Sequence, residues 1–581
     1  MTSQSIDPKI LERANVWLQS NIDDETRDRI NYMIENDPNE LTESFYCDLE
    51  FGTGGLRGIM GAGTNRMNRY TVGMATQSLA NYLKKVYNQG DELRVAIAHD
   101  SRNNSSSFAR VAADVLSANG IHVFLFEDLR PTPELSFAVR YLHCHSGIVI
   151  TASHNPKEYN SYKVYWNDGA QLIPPHDNNV IAEVQKITSI DEVLFTGDAT
   201  IIDCIGEFID TAYLEAMINY SLAPEVIEKQ SDLSIVYTPL HGTGITMIPQ
   251  ALMKFGFENL HIVEEQAIAD GNFPTLISPN PEEKSAMQMA LALAEKIDAE
   301  LILATDPDAD RIGVGLKDLD GKFVLLNGNQ TACLLTYYLV KQWQAKGKLT
   351  GKEFIVKTIV TSELMGDIAK KAGIESYDCL TGFKWIADLI RRFEGEKTYI
   401  GGGEESFGYL VGDYVRDKDA ILACCIFAEC TAWAKEKGMT LYELLVDIYR
   451  EYGLYRESLV NIVRKGISGQ AEIKAMMEKY RSNPPREIAG SKVVTIKDYL
   501  SLKSTDLLTG AETTIDMPKS DVLQFFLDDG SKISVRPSGT EPKIKFYFGV
   551  KGELKAGDDF KKAEAALDGK IAGIISSLGL K

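Results

Sequence analysis

Residues 146–156 read SGIVITASHNP, a short run of apolar, β-branched residues followed by a serine, a histidine and an asparagine. The run predicts a buried β-strand, and residues just beyond a strand's carboxyl end line the cleft of an α/β sheet. Ser153 lies there, yet it lacks the G-x-S-x-G pattern that builds the nucleophile elbow of an acyl hydrolase. We therefore expect a serine with another chemistry, and the alternative is a serine that only caps a turn before Pro156.

Similar apolar runs recur along the chain and alternate with helical patterns. They are LRVAIAHD (93–100), IHVFLFED (121–128), LSIVYTP (233–239), LHIVEE (260–265), LILATD (301–306) and FIVKTIV (354–360). This alternation predicts α/β units with largely parallel sheets, and the runs fall into three groups. The first ~45 residues are predicted to be helical, and we assign them no chemistry.

The last part of the chain has a different pattern. Apolar and polar residues alternate in SKVVTIKDYL (491–500), VLQFFLDDGSKISVRPS (522–538) and KIKFYFGV (543–550), which is typical of antiparallel strands. Hairpin turns are expected at residues 528–530 and 320–321. The chain is therefore predicted to be an α/β protein of four domains, of which the last is a smaller α+β domain. The predicted limits are 1–205, which includes the helical extension, 206–315, 316–455 and 456–581.

Composition narrows the class of protein. With 581 residues and a net charge of −21, the chain lacks the basic excess that would favour a nucleic-acid partner or an anionic membrane surface. No secretory signal is visible at the start, and the longest apolar stretch is too short to span a bilayer. The eight cysteines contain no C-x-x-C pair, so we expect reduced thiols. These features predict a cytoplasmic enzyme with no nucleic-acid or membrane partner.

A metal site is predicted directly after the run LILAT. Asp306, Asp308 and Asp310 alternate with other residues, so an extended backbone projects their carboxylates to one side. Oxygen ligands of this kind suit Mg²⁺. An EF-hand fails because its glycine and glutamate positions are Arg311 and Lys317. Two alternatives to a metal site stay open. One is an aspartyl-phosphate phosphatase, in which a strand delivers a D-x-D nucleophile, and the other is a solvated acidic turn.

Two further loops carry polar groups suited to a phosphorylated sugar. The stretch GGEESFG (402–408) follows a strand-like run, and its acidic and hydroxyl side chains can bond to sugar hydroxyls. The stretch RPSGTEPK (536–543) combines two hydroxyls, a glycine and two cations, which can cradle a phosphate without a P-loop motif. For each loop the alternative is an ordinary surface turn.

Two cations elsewhere are candidates for the same site. Arg57 lies in FGTGGLRG (51–58), whose spacing does not fit the dinucleotide pattern G-x-G-x-x-G, and it suits a phosphate contact. Lys163 follows Ser153 in the run KVYW, and we expect the Asn167-Asp168-Gly169 turn to fold this lysine back towards the serine. The alternative for Lys163 is a surface lysine.

Taken together, these motifs closely resemble those of the α-D-phosphohexomutase superfamily, most strongly its longer-chain phosphoglucomutase branch. TASHNP (151–156) resembles the phosphoserine loop, DPDADR (306–311) the metal loop, GEESFG (403–408) the sugar loop and RPSGTEPK (536–543) the phosphate loop. The four stretches occur in the family's order, one in each predicted domain. The resemblance implies three related mixed α/β domains and a smaller C-terminal α+β domain around a central cleft.

The resemblance also implies roles for individual residues. Ser153 would carry a phosphoryl group, and it would hold one Mg²⁺ together with Asp306, Asp308 and Asp310. Lys163 would move protons, while Arg57, His154 and Arg311 would orient the phosphoserine. Glu404 and Ser406 would bind the sugar 3- and 4-hydroxyls. Further substrate contacts are expected from Thr381, Gly382, Lys384, Lys418, Arg536, Ser538, Gly539, Thr540 and Lys543.

The implied activity is an isomerase reaction on a phosphosugar. Glucose 1-phosphate and glucose 6-phosphate would be interconverted, with glucose 1,6-bisphosphate as intermediate and activator. Rotation of the fourth domain is expected to exclude water from the phosphoserine. The alternatives are a mutase for mannose or pentose phosphates, a glucose 1,6-bisphosphate synthase, a phosphatase and a catalytically silent sugar-phosphate binder. The sequence leaves the assembly as a monomer or a weak dimer.

Overall fold

The computed structural model of the protein describes residues 6–52, 54–88, 90–464, 466–538 and 543–580. In this part of the chain four sheets follow one another along the sequence. We call each sheet, with the helices connected to it, a unit. The first three units mix parallel and antiparallel strands, and the C-terminal unit is antiparallel, so the α/β fold class expected from the sequence is confirmed.

The first unit contains the serine strand. Its elements are α1 (Pro8–Gln19), α2 (Asp24–Asn36), α3 (Pro38–Phe45), β1 (Phe51–Gly52), β2 (Gly55–Ile59), α4 (Arg69–Val86), β3 (Arg94–His99), α5 (Ser105–Ala118), β4 (His122–Phe126), α6 (Thr132–Tyr141), β5 (Ser146–Ile150), β6 (Tyr159–Trp166), α7 (His176–Val184) and β7 (Ile202–Ile205). The sheet has the order β1-β2-β6-β5-β3-β4-β7. β5 is buried along its whole length because it lies in the middle of this sheet, which explains its uninterrupted apolar sequence.

The predicted N-terminal helices are present and act as a scaffold. Asp7 caps α1 by accepting from the backbone N–H of Lys9 at 2.9 Å, and the Asp23 carboxylate accepts from the N–H of Thr26 at 2.8 Å. Trp17 packs edge-on against Phe45, at 5.7 Å between ring centroids. The apolar faces of these helices are thereby buried against one another and against α4.

The second unit contains residues 306–311, which carry the three aspartates and which we call the aspartate loop. Its elements are α8 (Glu207–Ile218), α9 (Pro224–Lys229), β8 (Ile235–Thr238), α10 (Gly244–Phe255), β9 (Leu260–Ile262), α11 (Glu264–Ala267), α12 (Gln288–Ile297), β10 (Leu301–Thr305), β11 (Ile312–Lys317) and β12 (Phe323–Leu325). The sheet has the order β12-β11-β10-β8-β9. The predicted limit at residue 315 falls inside β11, because the β11–β12 hairpin pairs with β10 and carries the second sheet on to Leu325.

The third unit contains the glycine-rich sugar loop and a buried helix. Its elements are α13 (Gly328–Ala345), β13 (Glu353–Thr358), α14 (Leu364–Lys371), β14 (Glu375–Cys379), α15 (Phe383–Arg392), β15 (Thr398–Gly403), β16 (Tyr409–Val411), α16 (Ala420–Glu436) and α17 (Leu441–Tyr452), and the strand order is β14-β13-β15-β16. α16 is apolar almost all round because it is buried against α9 and α10 of the second unit as well as its own sheet.

The C-terminal unit is an antiparallel sheet with two long helices. Its elements are β17 (Leu454–Val463), α18 (Gly466–Ser482), β18 (Glu487–Ile488), β19 (Ser491–Asp498), β20 (Lys503–Asp506), β21 (Glu512–Thr514), β22 (Leu523–Leu527), β23 (Lys532–Pro537), β24 (Lys543–Gly552) and α19 (Phe560–Ser577). The main path is β17-β24-β23-β22-β19-β20-β21. The predicted hairpin turn is present between β22 and β23, where Gly530 has a φ of +81°.

The position of Lys163 has a different origin from the one expected. Residues 151–158 connect β5 to β6 and contain Ser153, and we call them the serine loop. The Asn167-Asp168-Gly169 turn follows β6 at the end remote from this loop. Lys163 instead pairs with Val149 across the β5–β6 hairpin, whose connecting loop contains Ser153. The lysine approaches the serine because both belong to this hairpin. Among the described residues, no helix combines the length and the apolar character needed to cross a lipid bilayer.

Candidate active site

The serine and aspartate loops meet where the first two units touch. Ser153 follows β5 and Asp306 follows β10, so each side chain leaves the carboxyl end of a buried strand. The Ser153 hydroxyl donates to Oδ2 of Asp306 at 2.6 Å, although the two residues are 153 positions apart. Thr132 adds a second link, because its hydroxyl donates to Oδ2 of Asp308 at 3.0 Å. The predicted nucleophile and the predicted metal ligands therefore belong to one site.

The three aspartates form a compact buried group. Asp306, Asp308 and Asp310 each offer an oxygen within 4.8 Å of the others, and all three are at most 2 % exposed. Oδ1 of Asp308 and Oδ1 of Asp310 have no hydrogen-bond donor among the described residues. Burial raises the pKa of Asp306, and the neighbouring Asp308 and Asp310 carboxylates raise it further. Carboxylate oxygens that converge on one point and accept no hydrogen bond are suitable ligands for a divalent cation.

Two lysines supply positive charge to this group. Lys163 Nζ lies 2.8 Å from Oδ2 of Asp308, and Lys418 Nζ lies 3.0 Å from Oδ2 of Asp310 and 2.9 Å from Oδ1 of Asp417. Burial opposes ionisation of Asp308, yet the Lys163 ammonium outweighs it and holds the pKa of Asp308 below its usual range. Burial likewise opposes the charge on Lys418, but Asp310 and Asp417 raise its pKa above the usual range. Lys418 is therefore charged at neutral pH.

His154 is held in its neutral form beside the serine. Its Nδ1 lies 3.1 Å from Oγ of Ser153. Burial lowers the pKa of His154 to about 2, with further contributions from the positive charges of Arg311 and Arg57. A neutral imidazole can hydrogen-bond to the serine side chain but adds no charge to the site. Arg57 itself lies on β2, which pairs with β6, and its side chain is exposed.

Arg311 joins the aspartate loop to the sugar loop. Its Nη1 donates to Oε1 of Glu282 at 2.8 Å and to the Ser406 carbonyl at 3.1 Å. The backbone N–H groups of Asp310 and Arg311 both donate to Oδ1 of Asp306, at 3.1 and 3.0 Å, which fixes the turn of the loop. The predicted residue Ser406 therefore contacts Arg311 through its main chain.

The sugar loop also contacts the start of α15. Oε1 of Glu404 accepts from the backbone N–H of Gly382 at 2.8 Å, which brings Thr381 and Gly382 against the predicted sugar ligand. The Gly408 backbone passes so close to Lys418 that a β-carbon there would lie 2.2 Å from that lysine's Cδ. A glycine at 408 is thus required for the lysine to reach Asp310.

One candidate points elsewhere. Lys384 Nζ is 4.0 Å from Oδ2 of Asp177 in the first unit, and its ammonium lies over the Trp385 ring. The expected substrate contact of Lys384 is therefore not part of the group formed by Ser153, the aspartates and Lys418.

The predicted phosphate loop belongs to the C-terminal unit. The backbone N–H of Ser538 donates to the Lys543 carbonyl at 2.7 Å and closes the loop, while Gly539 and Thr540 lie outside the described residues. Burial lowers the pKa of the neighbouring Lys545, and the charges of Lys543 and Arg536 lower it further. These cations therefore lie close together on β23 and β24.

Several residues of the site were missed in the sequence. Asp417 binds Lys418 and accepts from the Tyr165 hydroxyl at 2.7 Å. Glu405, which was predicted to lie in the sugar loop but without a role of its own, accepts from the Thr358 hydroxyl at 3.1 Å. Arg102 is fully buried beneath the serine loop. A signal existed for Arg102, because it follows β3 in the polar stretch HDSR at a strand's carboxyl end. Asp417 lies in the run RDKDA, and nothing in the sequence of that run indicates that Asp417 has a different role from Asp419.

Comparison with known proteins agrees with the fold and with the order of the loops. Family models of phosphoglucomutase/phosphomannomutase match residues 48–191, 211–321 and 327–452 as α/β/α domains I, II and III, and residues 472–567 as the C-terminal domain. A phosphoglucomutase of Staphylococcus haemolyticus is 39 % identical over 516 residues, which cover 87 % of this chain and 91 % of the relative. One of Staphylococcus aureus is 38 % identical over 519 residues, covering 88 % and 91 %.

Solved structures share the architecture at lower identity. The open form of the Paramecium phosphoglucomutase parafusin superposes with a TM-score of 0.70 at 19 % identity and covers 92 % of this chain and 96 % of its own. A putative phosphomannomutase from Thermus thermophilus gives a TM-score of 0.65 at 20 % identity, covering 90 % and 99 %. Fold and site thus define an isomerase of the phosphohexomutase class. The chain belongs to the phosphoglucomutase/phosphomannomutase family, which confirms the resemblance read from its motifs.

Proposed function

We propose that the protein is a phosphoglucomutase that interconverts glucose 1-phosphate and glucose 6-phosphate through a phosphorylated Ser153. The observation that carries the proposal is the 2.6 Å contact between Ser153 Oγ and Asp306 Oδ2 inside a buried group of three aspartates. The names of the two Staphylococcus relatives support glucose as the sugar. A solvated acidic turn does not fit, because the three carboxylates are buried.

The reaction consists of two phosphoryl transfers of opposite direction. In the first, the 6-hydroxyl of glucose 1-phosphate attacks the phosphoserine phosphorus, the bond from phosphorus to Ser153 Oγ breaks, and glucose 1,6-bisphosphate forms. The bisphosphate then turns around in the site. In the second, Ser153 Oγ attacks the phosphorus on O1, which releases glucose 6-phosphate and regenerates the phosphoserine. No phosphate is gained or lost over the cycle.

Each transfer requires one proton to leave the attacking hydroxyl and one to reach the departing oxygen. Lys163 is our candidate for this exchange, because its ammonium lies within the aspartate group that also binds the Ser153 hydroxyl. Lys418 is held more tightly, between Asp310 and Asp417, and we assign it to charge balance and substrate contact. His154 and Arg57 orient the phosphoserine, with His154 acting as a neutral hydrogen-bonding group.

A divalent cation held by Asp306, Asp308, Asp310 and the Ser153 side chain, which we propose to be Mg²⁺, would supply the positive charge that stabilises the transferred phosphoryl group. The Asp308 and Asp310 oxygens that lack donors support this assignment. Chelation should therefore abolish turnover, and Mg²⁺ should restore it.

The substrate contacts follow from the two remaining loops. Glu404 and Ser406 bind the sugar 3- and 4-hydroxyls, and Thr381 and Gly382 support Glu404. Arg536, Ser538, Gly539, Thr540 and Lys543 bind the phosphate that is not being transferred. Lys384 must leave Asp177 to reach the substrate.

The cellular setting is part of the same proposal. All eight cysteines are free thiols, and seven of them are at least partly buried, which suits the reducing cytoplasm. The partner is a small phosphosugar, with glucose 1,6-bisphosphate as activator. We propose a monomer or a weak dimer.

A coupled assay tests the function. The protein is supplied with glucose 1-phosphate, Mg²⁺ and catalytic glucose 1,6-bisphosphate, and glucose 6-phosphate is measured. We expect turnover in the wild type, none in Ser153→Ala, and wild-type turnover in Ser285→Ala, an exposed serine that serves as the matched control. Full activity of Ser153→Ala would overturn the mechanism, and release of free phosphate would identify a phosphatase. Side-by-side kcat/KM values for glucose, mannose and ribose phosphates identify the preferred sugar.

A further inference from the structure

The serine at the centre of the site has an unusual backbone conformation. Ser153 has a φ of +52°, in the left-handed region that residues with a β-carbon rarely adopt. Its backbone N–H donates to Oγ1 of Thr151 at 2.9 Å, so the residue is part of a tight turn. Such a conformation persists only where the surrounding structure enforces it.

One buried arginine provides that enforcement. Nη2 of Arg102 donates to the carbonyls of Ser153, at 2.6 Å, and Asn155. Its Nη1 donates to the carbonyls of Pro156, at 2.9 Å, and Tyr159, at 3.2 Å. Four carbonyl groups, three in the serine loop and one at the start of β6, therefore point at a single guanidinium group. The side chain of Arg102 is fully buried, so water does not compete for these bonds.

The arginine is itself fixed from two sides. Asp100 lies 3.4 Å from Nε of Arg102 through Oδ2, and its Oδ1 accepts from the Arg102 backbone N–H at 2.9 Å. On the other side, the Phe273 ring of the second unit lies 5.0 Å from the guanidinium carbon. Phe273 is 2 % exposed, so this cation–π contact is desolvated and correspondingly strong.

The second unit reaches the arginine through a close contact between two loops. A β-carbon on Gly271 would lie 2.2 Å from the backbone nitrogen of Asn103, so the loop before Phe273 lies directly against the chain that follows Arg102. The side-chain amide of Asn103 also donates to Asn272 at 3.0 Å. These contacts link the second unit, which carries the aspartates, to Arg102 and through Arg102 to the serine loop.

We infer that Arg102 is the positioning residue that holds Ser153 in its left-handed conformation for phosphoryl transfer, and that Phe273 holds Arg102 in place. The inference rests on the proposed function for its catalytic consequence, but its structural content is independent of the sugar. Among the residues that the structure describes, Arg102 donates to main-chain carbonyls of the loop and faces Asp100, so it acts on the reacting atoms through the loop.

The geometry requires arginine rather than any cation. A guanidinium group has five N–H donors in a fixed plane, and here four of them reach carbonyls while the fifth faces Asp100. A lysine has three donors on one nitrogen and cannot span carbonyls from Ser153 to Tyr159. Arg102→Lys therefore keeps the positive charge but loses the hydrogen bonds to the four carbonyl groups.

The kinetic test compares Arg102→Lys with Arg110→Lys, the same change at an exposed position on α5. For Arg102→Lys we expect kcat to fall by about 100-fold, because displacing a reacting group by about 1 Å has this effect. KM for glucose 1-phosphate should change little, since the sugar is bound by other loops. Arg110→Lys should match the wild type. Phe273→Leu should lower kcat by a smaller factor in the same direction, whereas Phe208→Leu, at an exposed phenylalanine, should not.

Two further measurements separate positioning from loss of folding. Guanidinium ion at millimolar concentration should raise kcat of Arg102→Ala, which leaves a space of the right shape, and should not raise kcat of Ser153→Ala. In a crystal structure of Arg102→Lys, Ser153 should have left the positive φ region. A wild-type kcat in Arg102→Lys, or an unchanged Ser153 conformation in its crystal structure, would overturn the inference. If the wild type lacked mutase activity, the proposed function would fail, and the crystal structure would still decide this inference.

Discussion

Lys163 and the aspartates depend on each other at the residue scale. Lys163, which is only 8 % exposed, lies 2.8 Å from Oδ2 of Asp308 and lowers the pKa of that carboxyl group. We propose that Lys163 protonates the departing oxygen, a step that the neutral His154 does not provide at neutral pH.

Replacing this lysine should therefore slow chemistry more than binding. We expect Lys163→Met to lower kcat by about 10²- to 10⁴-fold, the usual contribution of a positioned acid or base. Lys157→Met is the matched control, because Lys157 is exposed in the same hairpin loop and should leave kcat unchanged. Steady-state assays with glucose 1-phosphate measure both variants. Equal activity of the two would exclude Lys163 from proton transfer.

Glu134 has a buried carboxyl group with no role in the proposed chemistry. It is 0 % exposed, and its carboxyl group lies within hydrogen-bonding reach of the Asp210 carboxylate. Burial raises the pKa of Glu134 well above its ordinary value of 4.5, and the nearby Asp210 carboxylate raises it further. The folded protein therefore binds this proton more tightly than the unfolded chain, and folding stability is lost as pH rises above the ordinary range of glutamate.

Glu134→Gln removes this dependence. The free energy of unfolding of the variant, relative to the wild type, should rise with pH from 4 to 8 and reach a gain on the order of 1–3 kcal/mol at the upper end. Chemical denaturation at several pH values measures the difference. Glu228→Gln, at an exposed glutamate, should show no such trend. A variant that loses stability relative to the wild type as pH rises would contradict the assignment.

The residues differed in how far the sequence could predict them. Ser153 and the three aspartates could be found because each follows a strongly apolar strand, and strand ends in α/β sheets collect chemistry. Arg102 follows a strand end as well, but its role depends on contacts with distant segments, and the contacts of Asp417 leave no local pattern in the sequence. The direction of Lys384 could not be predicted either, because the alternative partner Asp177 lies in another unit.

At the scale of elements, the aspartate loop depends on the packing of the neighbouring loop after β8. Gly242 lies against the main chain of this loop, and a β-carbon there would be 2.4 Å from Cα of Pro307. The N–H of Thr243 donates to the Pro307 carbonyl at 2.8 Å, which keeps the two loops together. Main chain cannot yield as a flexible side chain would, so any larger residue at 242 must displace the aspartates.

Gly242→Ala should accordingly weaken metal binding. We expect the Mg²⁺ concentration for half-maximal activity to rise about tenfold, since the aspartates that would hold the metal are displaced. Gly569→Ala is the control, because that glycine lies in α19 with open space around it and the change should stabilise the helix by about 0.5–1 kcal/mol. Mg²⁺ titrations of activity compare the two. An unchanged Mg²⁺ requirement in Gly242→Ala would show that the loop tolerates displacement.

The strands and helices were predicted better from the sequence than the contacts between them. β-branched runs and period-two alternation located the strands, because buried parallel strands and half-buried antiparallel strands have different sequence patterns. The route by which Lys163 reaches the serine was wrong, since a turn signal identifies a reversal but not which of two hairpins a residue belongs to. The limit at 315 erred for a similar reason, because β11 and β12 add antiparallel strands to a sheet that began as parallel.

At the scale of the whole molecule, the C-terminal unit is anchored to the third unit by a buried lysine. Lys532 Nζ donates to the carbonyls of Ile359, at 3.0 Å, and Thr361, at 3.1 Å, and also to the Glu363 carboxylate. Glu363 is shared with Lys357 at 3.0 Å. A rotation of the C-terminal unit over the site has to occur around this contact or break it.

Lys532→Met should weaken the contact between the C-terminal unit and the third unit. The change removes a donor from two buried carbonyls and from the partly exposed Glu363, which costs about 1–3 kcal/mol, and hydrogen exchange should become faster in β22 and β23. Lys503→Met, which breaks an exposed pair with Glu512, should change stability by less than about 1 kcal/mol. Unchanged exchange in β22 and β23 of Lys532→Met would mean that the apolar contacts around Tyr499 and Tyr547 hold the two units together without the lysine.

Ser153 is central to the proposed reaction, because it is the residue that passes the phosphoryl group to the sugar. The direct measurement is a single-turnover experiment in which protein labelled with ³²P at Ser153 is mixed with unlabelled glucose 1-phosphate and Mg²⁺ and then quenched. We predict that the label leaves the protein at a rate at least equal to kcat and appears in glucose 1,6-bisphosphate and glucose 6-phosphate. Label that stays on Ser153 during turnover, or that leaves as free phosphate, would contradict the account.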